Sequence, residues 1–531
     1  MTRLQVTEIE SLRANCLPLP LTAAPATSSE QFKSPHGRGN PLARRWDHHF
    51  STESRYFQGS ALKKASSPVG PRKIISLGTG RPTADYYPWQ SLTFHGVSAA
   101  PLASKTAANG LGHSVHTLSK RDASYNLSLG LNYGHAAGSP HLLRFVTEHV
   151  ELVHNPPYRD WSTFLSCGAT AALEVAFRIF CNRGDWILTE QWTYPGTLES
   201  AMLNGVRVYG VEMDADGLRP DCLESTLSSW NTSSQGPRPR VLYTIPTGQN
   251  PTGYTQPAER RAAIYAIAEK YDLIIIEDDP YYFLPLGPYL RGDTSTTGGG
   301  VQSSNACPKP VSRFPNSEPS YLSLDTSGRI IRLDSTSKTL APGLRVGWVT
   351  ASAQIINKFL AYQEVSTVAV SGPSQLMLWS LLDQTWGHDG LASWLAHLSG
   401  EYQWRRSVLL RACERYLPLD ITSWIPPRYG MFLWIKVDWR GHPGLKSKVS
   451  AQAEELNAQL QALEARITDD ALSRGVLVTR GSLFSWNKRP NGELHFRMTF
   501  AAASEGDLEE GVRLFGETLA AEFLPRSAQS L

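Results

Sequence analysis

Short apolar runs recur through the middle of the sequence: Thr163-Phe164-Leu165, Trp186-Ile187-Leu188, Val241-Leu242-Tyr243, Leu273-Ile274-Ile275-Ile276 and Ile330-Ile331-Arg332-Leu333. Each gives way at once to polar or glycine residues, with segments of helical character between the runs. Continuous apolar runs this short, alternating with helices, predict an α/β fold with a mostly parallel sheet covered on both faces. In open sheets of this kind ligands sit beyond the carboxyl ends of the strands, so distant motifs that follow the runs are brought to one cleft. After about residue 372 the pattern changes to helical stretches, including Ala451 to Ile467, and then to strand-like runs at Gly430 to Val437, Gly475 to Thr479 and Leu494 to Phe500. That change predicts a separate, smaller α+β domain.

Two segments break the pattern. Residues 1–70 are rich in Ser, Pro and Ala without a sustained period, which predicts a flexible tail ending in an arm on the folded body, with Arg55 and Tyr56 in that arm. Gly287 to Ser320, with Gly298-Gly299-Gly300 inside it, reads as an irregular surface insertion. Among 531 residues, 51 basic against 48 acidic side chains leave a net charge of +3, with no Lys or Arg run longer than a doublet. Such a chain carries no electrostatic footprint for nucleic acid or an anionic membrane, so small-molecule partners are expected. Cys16, Cys167, Cys181, Cys222, Cys307 and Cys413 are scattered without ligand spacing, which suits reduced thiols and predicts no metal site. The apolar patch Leu17 to Ala26 is broken by Pro18, Pro20 and Pro25, and no stretch reaches the roughly 20 apolar residues of a membrane span. A cytoplasmic protein is expected.

The chemistry concentrates behind the last of the apolar runs. Ser335-Thr336-Ser337-Lys338, followed by Pro342-Gly343-Leu344-Arg345, places hydroxyls, an amine and a guanidinium where one anionic aldehyde cofactor uses all of them. Pyridoxal 5'-phosphate is that kind of group. Lys338 is its expected covalent anchor, because desolvation and the nearby Arg345 cation favour the free amine such a bond requires. Taken alone, the string is an ordinary Ser/Thr-rich turn; other motifs decide. Gly168-Ala169-Thr170 follows a strand and opens a helical run, so backbone N–H groups and the Thr170 hydroxyl are placed to hold a phosphate with Ser335, Ser337 and Arg345. Asp279, in Glu277-Asp278-Asp279-Pro280-Tyr281-Tyr282, is the carboxylate expected to pair with a pyridinium N–H, with Asp278 and Glu277 left as strand-end acids. Asn250 in its Pro-rich turn and Tyr282 are expected to donate to the phenolate oxygen, and Tyr194 to stack on the ring. Arg497, charged on an alternating apolar strand, calls for a carboxylate, either a substrate's or an internal one.

With these motifs assembled, the chain resembles the fold-type I pyridoxal-phosphate aminotransferases, in the group of fungal aromatic and kynurenine/α-aminoadipate aminotransferases. The resemblance runs from about Ile75 to the C-terminus. It is carried by Gly80 in Gly78-Thr79-Gly80-Arg81-Pro82, Tyr133 in Leu131-Asn132-Tyr133, Tyr194, Asn250, the Asp279-Pro280-Tyr281-Tyr282 block, Lys338, Arg345, Gly430-Met431-Phe432-Leu433-Trp434-Ile435 and Arg497. It implies a large cofactor-binding domain over residues 131–371 around a seven-stranded type of sheet, and a smaller domain built from 71–130 and 372–531. It also implies a homodimer in which Tyr133 reaches the neighbour's phosphate, and an N-terminal arm with Gly80 that closes over a substrate also contacted by Asn250 and Arg497. The implied reaction moves the amino group of an L-amino acid, aromatic by resemblance (Trp, Phe or Tyr), to a 2-oxo acid such as phenylpyruvate or 2-oxoglutarate, in ping-pong order. The chain departs from its relatives at Ala169, often a polar phosphate ligand, and at Arg480, in a segment that often reads proline-glycine and bears on substrate choice. Lyase or decarboxylase chemistry on the same cofactor stays open. A transcription regulator on this fold would need an N-terminal winged-helix module, and residues 1–70 are too broken by Pro and Ser to supply one.

Overall fold

The computed structural model describes residues 4–65, 77–78, 80–98, 113–289, 314–315, 318–445 and 453–524. All the apolar runs of the sequence lie on or against strands of one seven-stranded sheet. Its order is Trp161–Ser166, Gly347–Ser352, Ile330–Ser335, Ile274–Asp278, Val241–Thr244, Trp186–Glu190, Arg207–Val211. Gly347–Ser352 runs antiparallel to both neighbours and the remaining adjacent pairs are parallel.

Successive side chains of a strand point to opposite faces, and here the two faces have separate cores. Val241, Tyr243, Ile274, Ile276, Ile331 and Leu333 pack with Ala172, Leu173, Ala176 and Phe177 of the helix Ala169–Phe180. Leu188, Leu242, Ile275 and Ile330 pack on the other face with Ile264 and Ala268 of Ala258–Lys270 and Leu223 of Pro220–Ser228. Each fully buried aliphatic side chain contributes roughly 1.5–3 kcal/mol. This alternation decides the face on which every residue at the strand ends emerges.

The C-terminal part carries a second, antiparallel sheet ordered Thr422–Trp424, Phe432–Val437, Leu494–Thr499, Thr479–Arg480. Helices Gly387–Tyr416, Ala453–Ser473 and Glu505–Phe523 accompany it. Leu433, Phe496 and Phe515 share a continuous core with Ile276 and Leu333, so the second sheet is packed firmly onto the first. The Gly475 to Thr479 run contributes only the short strand Thr479–Arg480.

The expectation of a flexible tail is corrected. Residues 4–65 lie against the body, beginning with the helix Val6–Ala14 and continuing as short turns. Trp46 is buried to 1% and Phe50 to 5% exposure. Arg13 Nε donates to Glu148 at 2.8 Å and its Nη1 pairs with Asp383 at 2.8 Å, while the Ser34 N–H donates to Glu151 at 2.9 Å. Single anchors between short turns leave no periodic signal, which is why composition alone suggests disorder. Arg55 and Tyr56 do belong to this arm, in the turn of helix Thr52–Tyr56. The insertion from Gly287 to Ser320 falls largely outside the described residues. Among those described, no helix is long and apolar enough to cross a membrane.

Candidate active site

Lys338 stands three residues past the Ile330–Ser335 strand, and its amine makes no hydrogen bond or ion pair among the described residues. Burial lowers its basicity and the Arg497 guanidinium lowers it further, against a smaller opposing pull from Asp278. A lysine so placed holds part of its amine as the free base.

Next to it is a ring of donors. Ser335 Oγ donates to Ser337 Oγ at 3.0 Å, and Arg345 Nη1 donates to Ser337 Oγ at 3.3 Å. Helix Ala169–Phe180 begins at Gly168 with no side-chain cap, so the N–H groups of Ala169 and Thr170 face the same place without a cap to satisfy them. Gly168 has φ +88°, and a Cβ there would lie 2.5 Å from Arg345 Nη2, so glycine is what lets the guanidinium reach the helix end. Uncapped N–H groups, two hydroxyls and a guanidinium together suit a phosphate. Beside them a cavity of about 1030 Å³ is lined by Thr170, Tyr194, Gly196, Glu199, Leu203 and Arg345.

The acid at the end of the Ile274–Asp278 strand is not the one expected. Asp278 follows Ile274 and Ile276 on the face that carries the Ala169–Phe180 helix, and it is Asp278 whose charge Lys338 feels. Its Oδ2 accepts from Tyr243 Oη at 2.6 Å, and its Oδ1 is buried without a partner. Burial raises its pKa to about 6. Asp279 turns the other way, where its Oδ2 accepts from Thr247 Oγ1 at 3.0 Å and pairs with buried Arg332 at 3.3 Å, beside Glu277 at 3.0 Å from the same guanidinium. The same one-residue correction holds for the tyrosines. Tyr282 Oη donates to the Glu318 carbonyl at 2.9 Å and its ring lies under Arg332, away from Lys338. Tyr281 sits edge-on to Phe432 and within electrostatic reach of Asp278, Arg497 and Tyr194. Strand alternation, read from Ile274 and Ile276, was the available signal for Asp278; the tyrosines lie in the turn beyond the strand, where alternation no longer applies.

Arg497 comes from the second sheet. Its Nη1 donates to Asn250 Oδ1 at 2.9 Å and its Nη2 to Thr479 Oγ1 at 3.5 Å, while Nε is buried without a partner. The guanidinium lies 4.6 Å from the Phe432 ring centre and 4.7 Å from that of Phe484. No carboxylate of the described residues pairs with it, so the internal salt bridge weighed for this arginine is not made. The Asn250 amide is thereby oriented with its Nδ2 free to donate, and Tyr194 covers Gly196 at the cavity edge. Tyr133 is 60% exposed and Gly80 is exposed with open space around its Cα; neither bonds to this cluster within the chain. Arg480 turns outward to Asp469 at 3.7 Å, away from Arg497.

A covalent-capable lysine, a phosphate cradle, a buried carboxylate oxygen lacking a donor and an arginine lacking an anion lie together at the carboxyl ends of an α/β sheet. Such an arrangement can hold a phosphorylated group beside an amine able to form a covalent bond and an arginine open to an anion. Residues 127–515 match the family described as aminotransferase class I and II, and the chain belongs to that family. It is 45% identical over 501 residues to aminotransferase swnA of Metarhizium robertsii, covering 92% of this chain and 95% of that protein. It is 37% identical over 484 residues to an aromatic amino acid aminotransferase of Schizosaccharomyces pombe, covering 90% and 98%. The crystal structure of aminotransferase Aro8 from Candida albicans superposes with a TM-score of 0.80 at 35% identity, covering 91% of this chain and 99% of that one.

Proposed function

We propose that this aminotransferase uses pyridoxal 5'-phosphate to move the amino group of an aromatic L-amino acid to a 2-oxo acid. The observation that carries the cofactor assignment is that Lys338 lies within electrostatic reach of both Asp278, whose Oδ1 is buried without a donor, and Arg497, which has no carboxylate partner among the described residues. When bound, pyridoxal phosphate supplies a protonated ring that accepts the electron pair left when the substrate Cα–H bond breaks.

Everything else is done by the chain. Ser335, Ser337, Arg345 and the N–H groups of Ala169 and Thr170 hold the phosphate. Asp278 Oδ1 would accept from the ring N–H, Asn250 Nδ2 and Tyr281 Oη would donate to the phenolate oxygen, and Tyr194 would cover the ring. Arg497 takes the substrate α-carboxylate, and Asn250 holds that guanidinium in place. With the carboxylate fixed, the Cα–H bond is aligned, and Lys338 Nζ removes the proton as a base whose burial has already made it less basic than a surface lysine. The same arginine then receives the 2-oxo acid, so one site serves both halves of a ping-pong reaction.

The aromatic preference is supported by the relative described as an aromatic amino acid aminotransferase. The apolar rings on both sides of Arg497 are consistent with it. A homodimer is part of this reading, with exposed Tyr133 reaching the neighbour's phosphate and exposed Met202 and Leu203 beside the cavity covered by the partner. The test is the absorbance spectrum of the purified protein with L-tryptophan, beside Lys338→Ala. Wild type should show a visible cofactor band that fades as indole-3-pyruvate forms, and the variant should show neither change. Release of ammonia or carbon dioxide without a 2-oxo acceptor would replace transfer by lyase chemistry.

A further inference from the structure

Tyr243 is absent from the residues that the sequence motifs mark, yet it is the only described side chain that hydrogen-bonds Asp278. It lies on the strand Val241–Thr244 opposite Ile276, two residues short of Asp278 along the neighbouring strand and on the same face. Its exposure is 0%, and its hydroxyl donates 2.6 Å to Asp278 Oδ2. The strand register therefore fixes the distance between the phenol and the carboxylate. Because the other oxygen, Oδ1, has no partner, the bond to Tyr243 is what selects which oxygen is left over.

Resting on the assignment of Asp278 to the ring nitrogen, we infer that Tyr243 is a positioning residue: it holds Oδ2 so that Oδ1 faces the pyridinium N–H. The balance at this site makes the role chemical as well as geometric. Burial pushes the Asp278 carboxyl toward its neutral form, and the Tyr243 hydrogen bond opposes that. Asp334 adds to the neutralising pressure, while Arg332 and Lys338 work against it. Burial also keeps the Tyr243 phenol un-ionised, so it remains a donor throughout the working pH range. Without the hydroxyl, Asp278 keeps the burial and loses its only neutral donor, and it becomes a poorer anion for the ring nitrogen.

The decisive experiment compares wild type, Tyr243→Phe, Asp278→Asn and the double variant as full-length protein. Dissociation constants for pyridoxal phosphate are measured by titrating each apoprotein, and for its 1-deaza analogue, which has carbon in place of the ring nitrogen. Tyr243→Phe should weaken pyridoxal phosphate roughly tenfold or more, by the loss of one hydrogen bond to a charged group. It should leave the deaza analogue and the double variant's affinity, relative to Asp278→Asn, unchanged. In turnover it should lower kcat with the amino-acid KM little altered, since Arg497 is untouched. Equal weakening of both cofactors, or full additivity with Asp278→Asn, would overturn the role and leave Tyr243 as packing alone. Tyr243→Met, which fills the site without a hydroxyl, gives the same reading if the phenylalanine variant is too unstable to titrate. If wild type itself fails to bind pyridoxal phosphate, the functional assignment fails first. If wild type binds and transaminates while Tyr243→Phe matches it in every measurement, only this inference falls.

Discussion

Gly168→Ala separates two costs that the structure shows side by side. At φ +88° and ψ 165° the backbone is in a region open essentially to glycine alone, so an alanine pays about 1–3 kcal/mol whatever surrounds it. Its Cβ would also stand 2.5 Å from Arg345 Nη2 and 3.1 Å from Cζ, so the guanidinium must move. Arg345 is an exposed, flexible side chain, and its swing adds little to the unfolding cost. At about 2.1 cal/mol/K per residue over 531 residues, the backbone penalty lowers the apoprotein Tm by only about 1–3 °C. Phosphate binding suffers more. Losing a charge-assisted bond worth about 1.5–3 kcal/mol weakens pyridoxal phosphate by roughly 10- to 150-fold. Gly184→Ala is the internal control, because Gly184 has φ +90° with nothing within 4 Å of the added Cβ. It should show a comparable Tm loss and wild-type cofactor affinity. Fluorescence titration of the apoproteins with pyridoxal phosphate decides the matter. Wild-type affinity in Gly168→Ala would refute the claim that Arg345 reaches the phosphate across Gly168.

Arg497→Met should lower kcat/KM for amino acids by about a hundredfold or more, through loss of the carboxylate fork, while cofactor affinity in apoprotein titrations stays within a few fold of wild type. Asp278→Asn should cut turnover by at least about a hundredfold with a small stability change. Asp279→Asn should leave turnover much less affected and cost only about 1 kcal/mol in urea unfolding, because Glu277 and Asp334 still pair with buried Arg332. His149 is 3% exposed among Phe283, Phe314 and Trp348, and burial lowers its pKa to about 3. Its folded value lies below the unfolded 6.5, so stability is complete above pH 6.5 and falls as the unfolded chain takes up the proton. The slope per such histidine is about 1.4 kcal/mol per pH unit, so His149→Phe should reduce the loss between pH 6.5 and 5 by about 2 kcal/mol in pH-dependent urea titrations, while buried His49, His141 and His495 keep the remainder.

The sheet was legible because its strands are buried on both faces, and that demands the unbroken apolar runs from which it was read. Arg207–Val211 escaped notice because it is an edge strand, half-exposed and interrupted by Gly210, with less burial to enforce an apolar sequence. The arm was misjudged for a related reason. Trp46, Phe50 and Arg13 hold it at isolated points, and point anchors have no period. Arg497 was legible for the opposite reason, since a guanidinium between Phe496 and Met498 contradicts its own strand unless something outside the strand needs it.

The residues after the most apolar strand show where sequence reasoning reaches its limit. Glu277, Asp278 and Asp279 have nearly the same composition and differ only in which way the backbone turns them. Glu277 and Asp279 meet around Arg332 because one strand residue lies between them, and Arg332, on the neighbouring strand opposite Glu277, faces the same way. That buried cation gathers Glu277 and Asp279 together with Asp334, which ties these carboxylates to the arginine. Asp278 is left on the opposite face, where Val241, Tyr243, Ile274 and Ile276 lead along the sheet to Lys338. The choice between adjacent aspartates therefore follows from the partner each face offers. Each aspartate keeps one buried oxygen without a partner, so what separates them is the company of the other oxygen: Arg332 and Thr247 for Asp279, and Tyr243 on the face that leads to Lys338 for Asp278.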